Sequence, residues 1–226
     1  MRFRREPIAI AADVEAMFHQ CFVPPPDQRF LRFLWWADGD YKKDPDVFTM
    51  LVHIFEAKSS PSVANFVMKT TAKKNAAEFS EEAVETLLRS FYMDDLLKST
   101  STVEHAIELV TEMKKLLADG GFNLTKWSSN SKEVIETVPL DERSKSLQNI
   151  DLADDTLPEE LTLGLQWNVD DDCFGYDMNL AEKPFTRRGI LSMTASVYDP
   201  LGFISPVPHY KLAQSSGFLP RNGKPN

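Results

Sequence analysis

At residues 91–97 the chain reads Phe-Tyr-Met-Asp-Asp-Leu-Leu, with two acidic residues between two apolar pairs. The pattern predicts a strand, a tight turn and a second strand, with Asp94 and Asp95 at the turn. Adjacent carboxylates repel one another, and a cation between them offsets that repulsion. Hard divalent cations such as Mg²⁺ prefer oxygen ligands of this kind. A solvated polar turn explains the same pair without a metal.

A third acidic residue, Asp13, ends the apolar stretch at residues 7–14, which predicts a short buried strand. Two metal ions held by carboxylates can act on the attacking and leaving oxygens of a phosphoryl transfer. The simpler interpretation is that Asp13 caps the helical turn predicted at residues 15–20. The run 170–172, three Asp residues at another predicted hairpin turn, lacks apolar flanks, and we assign it no metal role.

The remaining pattern predicts alternating strands and helices on both sides of these acidic residues. Strands are predicted at 29–36, 47–55, 122–127, 161–169 and 173–178, and helices at 61–76, 80–89, 102–118 and 187–197. Serine or threonine caps precede three of these helices, and the glycine pair at 120–121 ends the third helix.

The overall charge does not by itself suggest a nucleic-acid partner. The net charge is −9, but residues 133–183 hold 14 acidic and 3 basic side chains, so the other 175 residues carry +2. No apolar stretch is long enough to span a membrane, and two cysteines exclude a disulfide scaffold. We therefore expect an intracellular protein, cytoplasmic by default, with no membrane contact.

Six stretches, in order, resemble motifs of the reverse transcriptase of Bel/Pao-type LTR retrotransposons. They read ADVEAMFHQ (12–20), FEAKSSP (55–61), FYMDDLL (91–97), GFNLTKW (121–127), LGLQW (163–167) and RGILS to YDPLGFI (188–204). The resemblance covers residues 1 to about 206. The last stretch is the one most particular to Bel/Pao elements, whose polyprotein region is also grouped under a Pao peptidase heading.

The resemblance implies an α+β fold, a reverse transcriptase-like palm in which helices back an antiparallel sheet. It implies a palm truncated at its N-terminus (1–128) and a primer-grip hairpin with the start of the thumb or connection (161–206). The polar composition predicts an acidic flexible segment between them (129–160) and a disordered tail (207–226). The fingers precede the palm in the family and carry the basic residues that grip the triphosphate. We expect them to be missing here.

The activity implied by the resemblance is template-directed deoxynucleotidyl transfer. Asp13, Asp94 and Asp95 would be the catalytic residues, and the first two would bind Mg²⁺ or Mn²⁺. Asp13 and Asp94 would therefore converge across adjacent strands of one sheet. The partners would be an RNA or DNA template-primer and a deoxynucleoside triphosphate, and the oligomeric state is left open.

Several further residues receive roles from the resemblance alone. Phe18 would lie under the sugar of the incoming nucleotide and exclude a 2′-hydroxyl, although plain core packing explains a phenylalanine equally well. Tyr92, Lys58 and Ser60 would lie near the nucleotide and template, although a lysine before a helix is commonly just solvated. Lys126 would approach the triphosphate.

The predicted primer grip consists of Leu163, Gly164 and Trp167.

One position departs from the family pattern, because Glu56 stands where the family usually has glycine. A glycine lets backbone approach a ligand closely, whereas a carboxylate there would repel nucleic-acid phosphates. With the missing fingers, this predicts a chain that is inactive alone. The alternative is a non-catalytic remnant that at most binds nucleic acid.

Peptidase activity is a further alternative because of the family's second heading. An aspartic peptidase needs an Asp-Thr-Gly or Asp-Ser-Gly loop, so that two acidic residues share a proton. Neither tripeptide occurs in the chain. We therefore predict no protease activity.

Overall fold

The computed structural model describes Phe3, residues 5–152, 156–162, 165–169 and 173–175, and the single residues 186, 188, 189 and 192. The chain divides into two compact units, residues 1–155 and 156–226. No helix in the described part of the chain is long and apolar enough to cross a membrane.

The described elements form an α+β arrangement. The strands are β1 (Ile8–Val14), β2 (Arg32–Trp35), β3 (Asp46–Thr49), β4 (Phe91–Tyr92), β5 (Asp95–Thr100), β6 (Leu124–Ser129), β7 (Glu159–Thr162), β8 (Leu165–Asn168) and β9 (Cys173–Gly175). The helices are α1 (Pro25–Gln28), α2 (Ser60–Lys74), α3 (Glu81–Arg89), α4 (Val103–Ala118) and α5 (Lys132–Glu136), with short 3-10 turns at Met17–Gln20 and Leu140–Glu142.

The first unit is built on a four-stranded sheet in the order β4-β5-β1-β6, with antiparallel pairing throughout. Side chains alternate along β1, so Ile10 and Val14 enter the core while Asp13 points to the opposite face. Helices α2, α3 and α4 cover the core face through apolar residues such as Met68, Leu87 and Met113. The sequence prediction of helices backing an antiparallel sheet is confirmed for this unit.

Side-chain caps explain where two of these helices begin. The hydroxyl of Ser80 accepts a hydrogen bond from the Ala83 N–H at the start of α3. At the start of α4, Thr102 accepts one from the His105 N–H. Each cap satisfies an amide that the first turn of a helix leaves unpaired. The predicted helix starts near these residues are confirmed.

The hairpin of β2 and β3 is exposed along its whole length, although it is rich in apolar residues. Leu34 is 60% exposed and Val47, its cross-strand partner, is 63% exposed. Trp35 is 56% exposed. A hairpin of the strands at 29–36 and 47–55 was predicted from the sequence, and the structure adds that its apolar strands are exposed.

The acidic segment differs from its prediction. Residues 129–160 were expected to form a flexible segment, yet residues up to 152 are packed into the first unit. Ser131 caps the short helix α5, and Val134, Ile135, Val138 and Leu147 are buried. The composition of the segment is acidic on average, but these apolar side chains supply enough buried surface to hold it. The flexible-segment prediction is wrong for residues 129–152.

The second unit contains a three-stranded antiparallel sheet in the order β7-β8-β9. Along β8 and just after it, Leu165, Trp167 and Val169 are buried at alternate positions. The predicted hairpin of β8 and β9 is confirmed, while its turn at 170–172 lies outside the described residues. Thr186 accepts a hydrogen bond from the Gly189 N–H at 3.1 Å, as a helix cap does. Most of the predicted helix 187–197 and all of 207–226 also lie outside them.

Candidate functional site

The three acidic residues singled out from the sequence meet at one end of the sheet. Asp13 and Asp95 are direct partners in the antiparallel pair of β1 and β5. The Val14 N–H donates a hydrogen bond to the Asp94 carbonyl at 2.9 Å, which fixes the turn against the end of β1. Asp13 and Asp94 therefore converge despite their distance in sequence, as predicted.

The turn that carries Asp94 is a two-residue hairpin loop. Tyr92 pairs with Asp95, which leaves Met93 and Asp94 as the loop. Met93 has a φ of 58°, and positive φ at the first loop position alone is the pattern of type II′ turns, where glycine is usual. A methionine there is strained, and the buried side chains of Leu96 and Leu97 hold the turn in place.

A lysine completes the cluster of side chains around Asp13. The Nζ of Lys126 lies 3.1 Å from Oδ2 of Asp13. The pairing of β1 with β6 shifts between Ala11 and Asp13, so that one residue of β1 opposes two residues of β6. This β-bulge brings Lys126 beside the carboxylate. The family resemblance predicts a role for Lys126 at the triphosphate, and no sequence pattern predicts its ion pair with Asp13.

The negative charges of the cluster exceed the positive charge that Lys126 supplies. Burial raises the pKa of Asp13 above its ordinary value, and Asp94 and Glu15 add to the rise, while the Lys126 ammonium opposes it. Burial, followed by the charges of Asp94 and Asp13, raises the pKa of Asp95 to about 6. The carboxylates therefore carry more negative charge than their protein surroundings compensate.

Backbone strain is concentrated in the same stretches of sequence. Four described residues other than glycine have positive φ: Ala16 (47°), Glu56 (65°), Met93 (58°) and Lys126 (54°). Each lies in one of the motifs that the sequence analysis singled out. Non-glycine residues in this region cost roughly 1–3 kcal/mol each, and such residues cluster at functional sites. The left-handed backbone at Glu56 also explains why glycine suits that position.

The residues predicted to contact nucleotide are placed less uniformly. Phe18 is 9% exposed in the core, and its ring meets the Phe55 ring edge to face at 5.0 Å between centroids. Ser60 is fully buried, with its hydroxyl 3.2 Å from Nδ1 of His53, so that hydroxyl has a protein partner. Lys58 and Tyr92 are both exposed. Their predicted roles stay predictions.

Of the predicted primer grip, Leu163 and Gly164 lie outside the described residues. Trp167 is fully buried on β8 of the second unit. A contact that was not predicted joins Glu15 and Asn123, whose side-chain amide donates a hydrogen bond to the Glu15 carboxylate at 3.0 Å. This contact ties the end of β1 to the start of β6, and no spacing in the sequence indicates it.

The donor chemistry of the site fits a divalent cation, although no closed cage is formed. Within the described residues, no group of three or more acidic, histidine or cysteine side chains is arranged to hold a metal ion. However, Asp13 and Asp95 are partly buried and repel each other and Asp94. An oxygen-rich, undercompensated site of this kind suits Mg²⁺ or Mn²⁺, with Asp13 and Asp94 as the predicted ligands.

Comparison with known proteins supports the fold. No protein-family model matches the chain, and no curated protein is similar enough in sequence to match. The foamy viral protease-reverse transcriptase in complex with an RNA/DNA hybrid is similar in structure, with a TM-score of 0.50 and 14% identity over 94% of this chain and 25% of that chain. Its dRH form in complex with double-stranded DNA is also similar, with a TM-score of 0.52 and 16% identity over 98% of this chain and 33% of that chain.

The chain has a reverse transcriptase-like fold. It spans a quarter to a third of the length of the two viral chains. At identities this low the likeness concerns the fold alone, so the chemistry of this chain has to be argued from its own residues.

Proposed function

We propose that the chain is the carboxylate-bearing palm of an RNA-directed DNA polymerase from a Bel/Pao-type LTR retrotransposon. The observation that carries the proposal is the meeting of Asp13, Asp94 and Asp95 at one end of the sheet. The reverse transcriptase-like fold and the six ordered motifs support it. Carboxylates placed this close together repel one another, and the fold alone does not require that arrangement. A bound cation would offset the repulsion, so the arrangement supports a cation-binding role.

In this proposal Asp13 and Asp94 hold Mg²⁺ or Mn²⁺, and Asp95 adds negative charge beside them. Two such ions, when bound, act on the attacking hydroxyl and the leaving oxygen of a phosphoryl transfer. Phe18 lies beneath the sugar, where a ring would exclude a 2′-hydroxyl. Exposed Lys58 and Tyr92 are free to contact the template and the nucleotide.

We propose further that the 226-residue chain extends no primer by itself. The side chain of Lys126 already pairs with Asp13. In the described part of the chain, Lys126 is the basic side chain that acts on both Asp13 and Asp95, and its pairing with Asp13 keeps it from gripping a triphosphate. Positioning supplies much of the rate of phosphoryl transfer, so carboxylates without such a grip are insufficient.

A non-catalytic remnant that binds nucleic acid is the second candidate, and Glu56 favours it. Glu56 is exposed, carries a negative charge and holds a left-handed backbone. A carboxylate at this point repels the phosphates of a template lying over it. In this alternative, the carboxylates at the end of the sheet derive from an ancestral polymerase and no longer bind metal.

Titration with Mn²⁺ separates the two candidates. The full chain and three variants, Asp13→Asn, Asp94→Asn and Asp27→Asn, are titrated while free Mn²⁺ is followed by electron paramagnetic resonance. We expect the first two substitutions to weaken Mn²⁺ binding at least tenfold. Asp27 is exposed on α1, so its variant makes the same chemical change away from the site and keeps wild-type affinity.

Primer extension then tests activity. The same proteins are incubated with an RNA template, a DNA primer, deoxynucleoside triphosphates and Mg²⁺ or Mn²⁺. We expect no extension by the chain alone. If neither Asp13→Asn nor Asp94→Asn changes the affinity for Mn²⁺, the polymerase proposal is wrong and the non-catalytic remnant is the remaining candidate. Template-dependent extension that Asp94→Asn abolishes would show that this chain is an active enzyme.

A further inference from the structure

Lys126 is held next to Asp13 by the backbone, and its position does not depend on a chance side-chain orientation. Its neighbours on β6, Leu124 and Trp127, are each 1% exposed and belong to the core. The bulge opposite Ala12 places the extra residue at Lys126, whose φ is 54°. Because the buried neighbours fix the register on both sides, the strained residue cannot slip to a relaxed position.

The lysine and the carboxylate form an asymmetric pair. The side chain of Asp13 is 24% exposed, whereas that of Lys126 is 60% exposed. The ammonium group can therefore leave for solvent at small cost, while the carboxylate stays where it is. An ion pair whose ammonium group stays largely exposed contributes little to folding stability, so a stabilising role alone does not account for a strained lysine at this point.

The charges around the pair make the lysine the local counter-cation. Lys126 opposes the effect of the neighbouring carboxylates on both Asp13 and Asp95. In the described part of the chain it is the basic side chain that acts on both of these residues. Its single positive charge stands against four carboxylates, those of Asp13, Asp94, Asp95 and Glu15, so it compensates them only in part.

We propose that the Lys126 ammonium is a built-in competitor of divalent cations at Asp13: it pairs with Oδ2 in the protein alone, and a cation binds that oxygen only as the ammonium leaves. The proposal rests on the proposed function, in which Asp13 is a metal ligand. Free Mg²⁺ or Mn²⁺ then binds more weakly than the carboxylates alone would allow.

The test measures Mn²⁺ affinity, with no activity assay, on the full chain and three lysine variants. Lys126→Met removes the charge and keeps the length of the side chain. Lys126→Arg keeps the charge. Lys69→Met makes the same change at an exposed lysine of α2 and serves as the matched control. Circular dichroism confirms that each variant is folded before titration.

We expect Lys126→Met to tighten Mn²⁺ binding about 1.4- to 5-fold, the range that corresponds to losing one partly exposed ion pair. Lys126→Arg and Lys69→Met should bind as the wild type does. The added change Asp13→Asn should abolish the gain in the Lys126→Met background, because the competed oxygen is then gone.

Two results would overturn the inference in different ways. Unchanged or weaker binding by Lys126→Met, with binding still lost in Asp13→Asn, means that the metal site exists and the lysine does not compete for it. Tighter binding by Lys126→Met that survives Asp13→Asn means that Asp13 is not the ligand, and the proposed metal site then fails together with the competition.

Discussion

Asp13 and Asp95 face each other directly across the antiparallel strands β1 and β5. Like charges in this relationship destabilise a sheet, since opposed side chains lie about 4.5–5.5 Å apart at Cβ. Lys126 compensates the pair only in part, because the pKa of Asp95 is still raised to about 6 by burial and by the two neighbouring carboxylates. The fold therefore carries a local electrostatic cost at the candidate site.

The first prediction is that Asp95→Asn makes the protein more stable at pH 8. In the wild type the pKa of Asp95 rises from an ordinary 3.8 to about 6 on folding. A folded acid that holds its proton more tightly contributes stability at pH values below 3.8, and this contribution is lost as the pH rises through 6. After allowance for solvent screening, the gain from Asn is about 1 kcal/mol, or about 2–4 °C in Tm.

The pH profile distinguishes this effect from a general change in packing. The difference in Tm between Asp95→Asn and the wild type should be small at pH 4, grow between pH 4 and 6 and stay level above pH 7. Asp27→Asn, the exposed control, should show no such profile. A variant less stable than the wild type at pH 8 would mean that the Asp95 carboxylate makes a favourable contact that outweighs the repulsion.

A second prediction concerns an acidic residue with the opposite behaviour. Glu82 lies on α3, with Lys98 Nζ at 2.9 Å and His105 Nε2 at 2.5 Å from its carboxylate oxygens. Burial alone would raise the pKa of Glu82, but Lys98 and His105 together lower it below the ordinary value of 4.5. The resulting stability is present above pH 4.5 and is lost as the pH falls through the lowered pKa.

We therefore expect Glu82→Gln to lower the free energy of unfolding at pH 7 by roughly 0.5 kcal/mol, since the group is partly exposed. The difference between the variant and the wild type should shrink as the pH falls through the lowered pKa of Glu82. Glu81→Gln is the matched control, because Glu81 is exposed in the same first turn of α3 and loses the same favourable interaction with the helix dipole. Equal losses in the two variants at pH 7 would show that the ion pairs contribute nothing.

The sequence was sufficient for the parts of the fold that depend on local pattern. The apolar stripe and the Thr102 cap predicted α4, and the acidic pair between apolar residues predicted the turn at Asp94. The convergence of Asp13 with Asp94 was predicted through the resemblance, since periodicity alone does not pair strands that lie so far apart in sequence.

Other features depend on tertiary register, which the pattern does not contain. The Lys126 ion pair arises from a one-residue bulge, and nothing in the composition of β6 distinguishes a bulged strand from a regular one. The burial of Val134 and Ile135 was not predicted, because the prediction rested on the acidic average composition of the segment and not on its individual apolar residues. The exposure of β2 and β3 was not predicted, because a strand pattern alone does not show what covers the strand.

The third prediction follows from that exposure. Leu34 and Val47 form an exposed cross-strand pair, so replacing both with threonine should change the free energy of unfolding by less than about 0.5 kcal/mol. The same change should lower the fluorescence of a bound hydrophobic dye and reduce concentration-dependent light scattering, because exposed apolar patches promote association. As a control, Leu96→Ala in the core should cost roughly 2–5 kcal/mol. Unchanged dye binding and light scattering would show that the exposed apolar surface of the hairpin does not promote association.

The last prediction separates backbone strain from charge at Glu56. The residue has a φ of 65°, so Glu56→Gly should relieve strain and raise the free energy of unfolding by up to about 1 kcal/mol. Glu56→Gln keeps the strain and removes only the charge, so it should leave stability unchanged. The neighbouring Ala57→Gly, where φ is not positive, should instead destabilise the protein.

Affinity for an RNA/DNA hybrid, measured by fluorescence anisotropy at fixed salt, gives the second readout for the same variants. If the carboxylate repels phosphate, Glu56→Gln and Glu56→Gly should bind equally and more tightly than the wild type. A carboxylate near a phosphate costs roughly 1–3 kcal/mol, which corresponds to a gain of about 5- to 150-fold when it is removed. A gain with Gly alone would assign the defect to backbone geometry. No gain with either variant would show that the Glu56 side chain turns into solvent, and the charge at this position would then cease to favour the remnant interpretation.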